Sequence, residues 1–83
     1  MKLIFPNPEL QWRLSGNYWF LNLAEGDSAY YVGIISVSKS IYRWHAYSFL
    51  NFSNLDIGRG ESNTLEEAKK KVEETLIFAG VAE

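Results

Sequence analysis

Residues 41–52 read IYRWHAYSFLNF and show the clearest two-residue periodicity of the chain. Side chains of a β-strand alternate between two faces, so the pattern predicts a strand from Ile41 to Phe52 with two unlike faces. One face carries Tyr42, Trp44, Ala46, Leu50 and Phe52, and the other carries Arg43, His45, Tyr47 and Phe49. We expect Trp44 and Leu50 to be the core residues of this strand.

The chain before this strand is divided by turn residues into further extended segments. Residues 10–14 are a predicted short strand, and Ser15, Gly16 and Asn17 form a turn because glycine and asparagine tolerate positive φ. Residues 18–24 are the next strand. Its first face carries Trp19, Leu21 and Leu23, and its second carries Tyr18, Phe20 and Asn22.

A central strand is predicted over residues 29–38, after a hairpin loop at residues 25–28. The segment is rich in β-branched and aromatic residues and apolar on both faces, which is typical of a strand buried within a sheet. Gly33 in its middle indicates a bulge or a close approach of another element. Lys39 and Ser40 form the predicted tight turn into the strand at residues 41–52.

One helix is predicted at residues 64–79. Thr64 and Glu67 have the spacing of a capping box, and Gly80 is a natural stop. Apolar residues at helical spacing form one stripe, composed of Leu65, Ala68, Val72, Leu76 and Ala79. Ile77 and Phe78 lie off that stripe, so the last turn either packs against the N-terminal arm or is partly exposed.

The remaining segments are predicted to be an arm and a loop. Pro6 and Pro8 remove backbone donors and favour extended backbone, so residues 1–9 are an arm. Residues 53–63 are rich in Asn, Asp and Gly and are interpreted as a crossing loop, alternatively one that contains a short edge strand. Within that loop, Gly58-Arg59-Gly60 is expected to form a turn before the helix.

The predicted fold class is therefore α+β, an antiparallel sheet of three to four strands with one C-terminal helix packed on one face. At 83 residues the chain fits a single domain over residues 1–83, and a composition that is 47% hydrophobic fills its core without a disulfide. The longest nearly apolar run, Ala29 to Ile35, is far shorter than the roughly 20 residues of a membrane helix. With no signal-peptide pattern and no cysteine, we expect a soluble cytoplasmic protein.

The sequence offers little to catalysis or metal binding. It has one histidine, no cysteine and no close carboxylate pair outside the helix surface, so we expect no enzyme, no cofactor and no metal. His45 lies between Arg43 and Tyr47 on the less apolar face of its strand. Its position is compatible with an ordinary half-exposed sheet residue and also with a residue that binds a partner.

The excess of aromatic residues on the sheet is the most informative feature. If the helix covers one sheet face, then Tyr18, Phe20, Tyr47 and Phe49 lie on the other. Exposed apolar patches on small domains mark interfaces, and Tyr and Arg are typical anchors. The sequence thus predicts a protein partner or self-association through Tyr18, Phe20, Arg43, His45, Tyr47 and Phe49. Alternatively, the N-terminal arm covers this face with Leu3, Ile4, Phe5 and Trp12.

A nucleic-acid-binding sheet is the second hypothesis for the same face. Aromatic residues on a sheet can stack bases, and Lys39, Arg43 and Arg59 can contact phosphate. The net charge of −2 argues against nucleic acid, because domains that bind it are usually basic.

Two motifs carry a resemblance that covers residues 18–76. They are YRWHA at residues 42–46 and GESNTLEEAK at residues 60–69. The order of elements with these motifs resembles small phage and prophage proteins of unknown function with a β-β-β-α order, and more faintly the plant AP2 domain and the arm-binding domains of phage integrases. The resemblance implies a viral accessory protein that acts by binding in the host cytoplasm, for example as an inhibitor of a host defence system like the anti-CRISPR proteins. The AP2 and integrase domains are basic along the sheet, whereas this chain has aromatic residues and only a few cations there. The resemblance therefore assigns no DNA-contacting residues to this chain.

Overall fold

The computed structural model describes residues 1–4, 9–24, 31–48 and 55–83, which form one antiparallel sheet and one helix. The sheet is five-stranded, and its spatial order follows the chain. Its strands are β1 Leu10–Ser15, β2 Tyr18–Leu23, β3 Tyr31–Ser38, β4 Ile41–Ser48 and β5 Leu55–Ser62. The helix α1 spans Leu65–Phe78. The α+β class with a C-terminal helix is as predicted, but the expected count of three to four strands is wrong.

The additional strand is β5, an edge strand of 8 residues that occupies most of residues 53–63, where the sequence predicts a loop with at most a short edge strand. It pairs with β4 along its length. Glycine is depleted in strands because it has no side chain to pack, and for this reason the pattern around Gly58 and Gly60 indicated a loop. In the fold, a β-carbon at Gly60 would lie 2.9 Å from the ring of Trp44. The expected turn at Gly58-Arg59-Gly60 is therefore wrong, since the two glycines make room for neighbouring side chains within a strand.

Turns and caps form where the sequence predicts them. Gly16 (φ 61°) and Lys39 (φ 57°) have left-handed backbone in the β1–β2 and β3–β4 turns. The Thr64 side chain accepts a hydrogen bond of 3.1 Å from the Glu67 N–H at the start of α1. Gly80, at φ 76°, follows its end. These local signals are independent of tertiary packing, which is why the sequence shows them clearly.

The helix packs on the sheet face predicted to be the core. It lies across β3, β4 and β5, and Ala68, Val72 and Leu76 of the predicted stripe are buried. The sheet contributes further buried residues to the same cluster, namely Leu10, Leu21, Val32, Ile35, Trp44 and Ala46. The prediction for Trp44 is confirmed, whereas Leu50 lies outside the described residues.

Two β-bulges change which residues face the helix. On β3, Gly33 pairs with Leu21 while Tyr31 pairs with Asn22, so that Val32 is an extra residue. Val32 is buried in the core, and Tyr31 moves to the opposite face of the sheet. On β5, Ile57 is the extra residue, packed against the core. The bulge at Val32, next to Gly33 on β3, confirms the bulge or close approach that the sequence predicts at Gly33.

The two ends of the chain pair with each other. Leu3 forms an isolated antiparallel bridge with Ala82, and Ile4 N–H donates a hydrogen bond of 3.0 Å to the Val81 carbonyl. Leu3, Val81 and Ala82 are all buried in the core cluster beside the helix. The first residues of the arm therefore complete the helix side of the sheet.

Lys69 connects α1 to β1 and β2, the two strands that the backbone of α1 does not contact. Its ammonium nitrogen lies 4.1 Å from the ring centroid of Trp19 and 5.9 Å from that of Trp12, on β2 and β1. A cation over the face of an indole ring is attracted by the ring quadrupole. Trp12 also donates its indole N–H to a Glu73 carboxylate oxygen at 3.4 Å. Side chains of α1 thus hold the β1–β2 hairpin in place.

Replacing Lys69 with Gln is expected to lower the free energy of unfolding by about 0.5–1 kcal/mol, because Gln keeps the chain length but loses the charge over the indole rings. Urea unfolding followed by tryptophan fluorescence measures the change. Lys70→Gln is the matched control, since Lys70 is exposed and its ion-pair partner among the described residues is the exposed Glu74, at 3.9 Å. Equal losses in the two variants would show that Lys69 does not hold the hairpin.

Candidate functional site

The sheet face turned away from α1, hereafter the outer face, carries a connected set of rings. These five rings are named the ring cluster and come from Tyr18, Phe20, Tyr31, His45 and Tyr47. None of them belongs to the core or packs against it. Tyr18 is 46% exposed, and the other four are half-buried. The ring cluster is therefore a surface feature with its own internal packing.

Most contacts within the ring cluster are edge-to-face or tilted. The Phe20 and Tyr31 centroids are 5.2 Å apart, and those of Tyr31 and Tyr47 are 5.8 Å apart, both in edge geometry. Edge-to-face pairs at these distances are favourable because ring edges are positive and ring faces negative. His45 differs, since its ring lies 5.9 Å from that of Tyr47 at an angle of only 14°. The rings support one another and present a preformed aromatic surface.

One row of residues crosses the outer face from edge to edge. In the register of the sheet Arg13 is opposite Phe20, Phe20 opposite Ile34, Ile34 opposite His45, and His45 opposite Arg59. Directly opposite residues in antiparallel strands have β-carbons about 4.5–5.5 Å apart, so neighbours in the row are within contact distance. The row places an aromatic and aliphatic centre between two arginines.

The three arginines of the chain all lie on the outer face, and they differ in what their side chains contact. Arg43 forms a salt bridge of 2.9 Å with Glu61 on β5, and both side chains are exposed. Arg13 donates to the backbone carbonyls of Leu23 at 3.3 Å and Ala24 at 2.9 Å. Arg59 is exposed, and no carboxylate in the described ranges is within ion-pair distance of it. Arg59 therefore offers a guanidinium group for a partner.

Burial raises the pKa of the Tyr47 hydroxyl above its usual value, and the nearby Tyr31 and Asp56 raise it further. Asp56 is opposite Tyr47 because the bulge at Ile57 shifts the register of β5. Removing water disfavours the charged phenolate, and a neighbouring negative charge acts in the same direction. Tyr47 thus remains a neutral hydrogen-bond donor well into the alkaline range.

Tyr47→Phe is expected to flatten the loss of stability at high pH. Below the unfolded pKa of about 10, Tyr47 is neutral in both states; above it, the unfolded chain ionises first, so folding stability falls as pH rises through the raised folded pKa. Urea unfolding at pH 9 and pH 11 should show a larger loss for the wild type than for Tyr47→Phe. Parallel losses would contradict the raised pKa.

The structure brings most of the predicted site residues together. Five of the six predicted partner-binding residues share the outer face, namely Tyr18, Phe20, Arg43, His45 and Tyr47. Phe49 lies outside the described residues. Of the cations predicted for nucleic acid, Arg59 lies opposite His45, and Lys39 lies in the β3–β4 turn at the end of the sheet.

Sequence reasoning missed several residues of the outer face, among them Tyr31, Ile34 and Arg13. Tyr31 was missed because strict alternation from Gly33 places it on the helix side, and only the bulge at Val32 reverses it. Ile34 lies in a segment that is apolar on both faces, so the sequence pattern does not assign it to either face. Arg13 alternates with Trp12 in β1, and that alternation was the available signal.

The described part of the N-terminal arm does not supply the alternative cover for the outer face. Leu3 belongs to the core cluster, and Trp12 contacts Glu73 and Lys69 on the helix side. Ile4 is exposed, and Phe5 lies outside the described residues. At the other end of the chain Ile77 and Phe78 are also exposed, so these two residues follow the second of the two alternatives that the sequence predicts, partial exposure of the last helical turn.

Among the described residues, no helix is long and apolar enough to cross a membrane. No three histidine or acidic side chains among these residues are grouped as metal ligands. Comparison of the chain with models of known protein families, with curated protein sequences and with solved structures found no match.

Proposed function

We propose that this protein is a non-catalytic binding domain and that its outer face is the binding surface. The observation that carries the proposal is the ring cluster, five rings in continuous contact on a sheet face that the helix does not cover. Aromatic residues and arginine are the residue types that dominate binding energy at interfaces. Preformed rings also lose little side-chain entropy when a partner binds.

The arrangement of polar groups supports the same function. Ile34 and the rings form an apolar centre, while Arg59 at one edge and the exposed Arg43–Glu61 pair form a charged rim. An apolar centre with a polar rim is the usual anatomy of a protein interface. A protein partner, including a second copy of the chain, and nucleic acid both fit such a face. The setting of a phage accessory protein or defence inhibitor stays a prediction from the resemblance.

The proposal is tested by asking whether substitutions on the outer face abolish the capture of protein or nucleic acid from a cell lysate. The immobilised wild-type protein and a Tyr18→Ser/Tyr47→Ser variant are each exposed to a lysate of cells that contain the protein, and retained protein and nucleic acid are both identified. The variant is expected to lose what the wild type retains, because two members of the ring cluster are absent.

Phe78→Ser is the matched control, since Phe78 is 95% exposed at the end of the helix, outside the ring cluster. It should retain the wild-type material. Far-UV circular dichroism must show that all three proteins are folded. If Phe78→Ser loses the material and Tyr18→Ser/Tyr47→Ser keeps it, the binding surface is the helix end and the proposal is wrong.

A further inference from the structure

Charge is distributed unevenly over the folded chain. Among the described residues, the outer face carries the three arginines against Asp56 and Glu61, and Lys39 adds a cation at its end, a balance of +2. The other described residues carry four lysines against six carboxylates, a balance of −2. The net charge of −2 therefore differs from the balance of the described residues of the outer face. This removes the argument from net charge against an anionic partner.

We infer that the partner of the outer face is a single-stranded nucleic acid, an inference that rests on the proposed function. Single strands are bound by rings on which bases stack, together with cations that follow the phosphates. Tyr18, Phe20 and Tyr47 supply rings in contact with one another or with Tyr31. Arg59 supplies the guanidinium without an acidic partner among the described residues.

The composition of the apolar centre favours bases over an acidic protein. Between Phe20 and His45 the row contains one aliphatic side chain, Ile34, and the rest of the described centre is formed by rings. Every base has a π-face and can stack on such rings whatever its sequence. An acidic protein segment would satisfy Arg59, but its carboxylate side chains offer no ring faces to stack on the ring cluster.

The width of the sheet favours a single strand over a duplex. Four spacings of about 4.8 Å separate β1 from β5, so the face is roughly 19 Å wide. The major groove of B-DNA is about 12 Å wide and accepts a helix or a two-stranded ribbon. The outer face of five strands is wider than that groove and cannot enter undistorted B-DNA as a whole. Unpaired bases, in contrast, are free to lie on a broad surface.

Fluorescence anisotropy of labelled 12-nucleotide oligo(dT) and oligo(U), with a 12-base-pair DNA duplex as the comparison, tests the inference. The single strands are expected to bind with a Kd below about 100 µM in 50 mM salt, and the duplex more weakly. Two to three phosphate contacts, from Lys39, Arg43 and Arg59, predict roughly 10-fold weaker binding in 200 mM salt. Binding of the duplex as tightly as the single strands would overturn the inference.

A charge-reversal pair assigns the binding to the outer face. Arg59→Glu is expected to weaken binding of oligo(U) at least about 10-fold, because it replaces a phosphate contact with a repulsive charge. Lys70→Glu, an equal change of charge at an exposed helix position, should leave the Kd within about 2-fold. Tyr18→Ser is the second variant; loss of one stacked base predicts about 5-fold weaker binding or more. Equal effects of Arg59→Glu and Lys70→Glu would overturn the inference.

Failure of this inference is distinguishable from failure of the proposed function. If no single strand binds in 50 mM salt while the lysate experiment still shows a protein lost by Tyr18→Ser/Tyr47→Ser, the partner is a protein. The outer face would then remain the binding surface. If neither assay responds to changes in the ring cluster, both proposals are wrong.

Discussion

Replacing Leu76 with Ala is expected to lower the free energy of unfolding by about 3–4 kcal/mol. Leu76 is completely buried in the last turns of α1, within the cluster that joins the helix to the sheet and to Leu3 and Val81. The truncation removes apolar contacts and leaves a cavity that the sheet cannot close. A chain of 83 residues has a total stability of roughly 4–12 kcal/mol, so this single change consumes a large part of it.

The neighbouring residue provides the control for this prediction. Ile77 is 53% exposed, so Ile77→Ala should cost less than about 1 kcal/mol. Urea unfolding of both variants, with the slope of the transition checked against the wild type, measures the two losses. Similar losses at positions 76 and 77 would mean that the helix is rotated about its axis relative to the sheet described above.

Replacing Gly33 with Ala is expected to destabilise the fold by about 2 kcal/mol through overpacking. A β-carbon at Gly33 would lie 2.6 Å from Cγ1 of Val72 on the helix and 3.3 Å from Cβ of Leu21 on β2. Both neighbours are themselves buried, so neither can move away without disturbing the core. The helix approaches β3 this closely because position 33 has no side chain.

A double-mutant cycle isolates that contact. Val72→Ala alone should destabilise the protein by leaving a cavity, but in the Gly33→Ala background it also removes the methyl group that clashes. The double variant should therefore be about 1 kcal/mol more stable than the sum of the two single changes predicts. Strict additivity would show that Val72 is not the residue that limits the space above Gly33.

Much of the fold follows from local patterns that tertiary contacts do not reverse. Two-residue alternation in β2 and β4 places Trp19 and Trp44 on the helix side and Tyr18 and His45 on the outer face, as the structure does. The helix start at Thr64 is a local signal of the same kind. These features depend on backbone geometry alone, so the sequence is sufficient to predict them.

The remainder depends on contacts between distant segments. Gly58 and Gly60 are poor strand formers, so the sequence predicts a loop with at most a short edge strand where β5 lies. In the fold the two glycines leave space for Thr75 and Trp44. The place of Tyr31 in the ring cluster depends on a one-residue bulge that no periodicity predicts. Likewise, the sequence shows the net charge but not its separation into a positive outer face, since that separation exists only once the strands are paired.

The single histidine of the chain gives the most direct measurement of the outer face as a binding surface. His45 lies in the row between Ile34 and Arg59. It is the single imidazole of the chain, so histidine modification reports on this position alone. Its rate of modification by diethyl pyrocarbonate, followed by mass spectrometry, is measured for the protein alone and in a lysate of cells that contain it. The rate at His45 should fall several-fold in the lysate, while the rate at which the same reagent carbethoxylates Lys70 on the helix stays unchanged. An unchanged rate at His45 with protection at Lys70 would contradict the outer face as the binding surface.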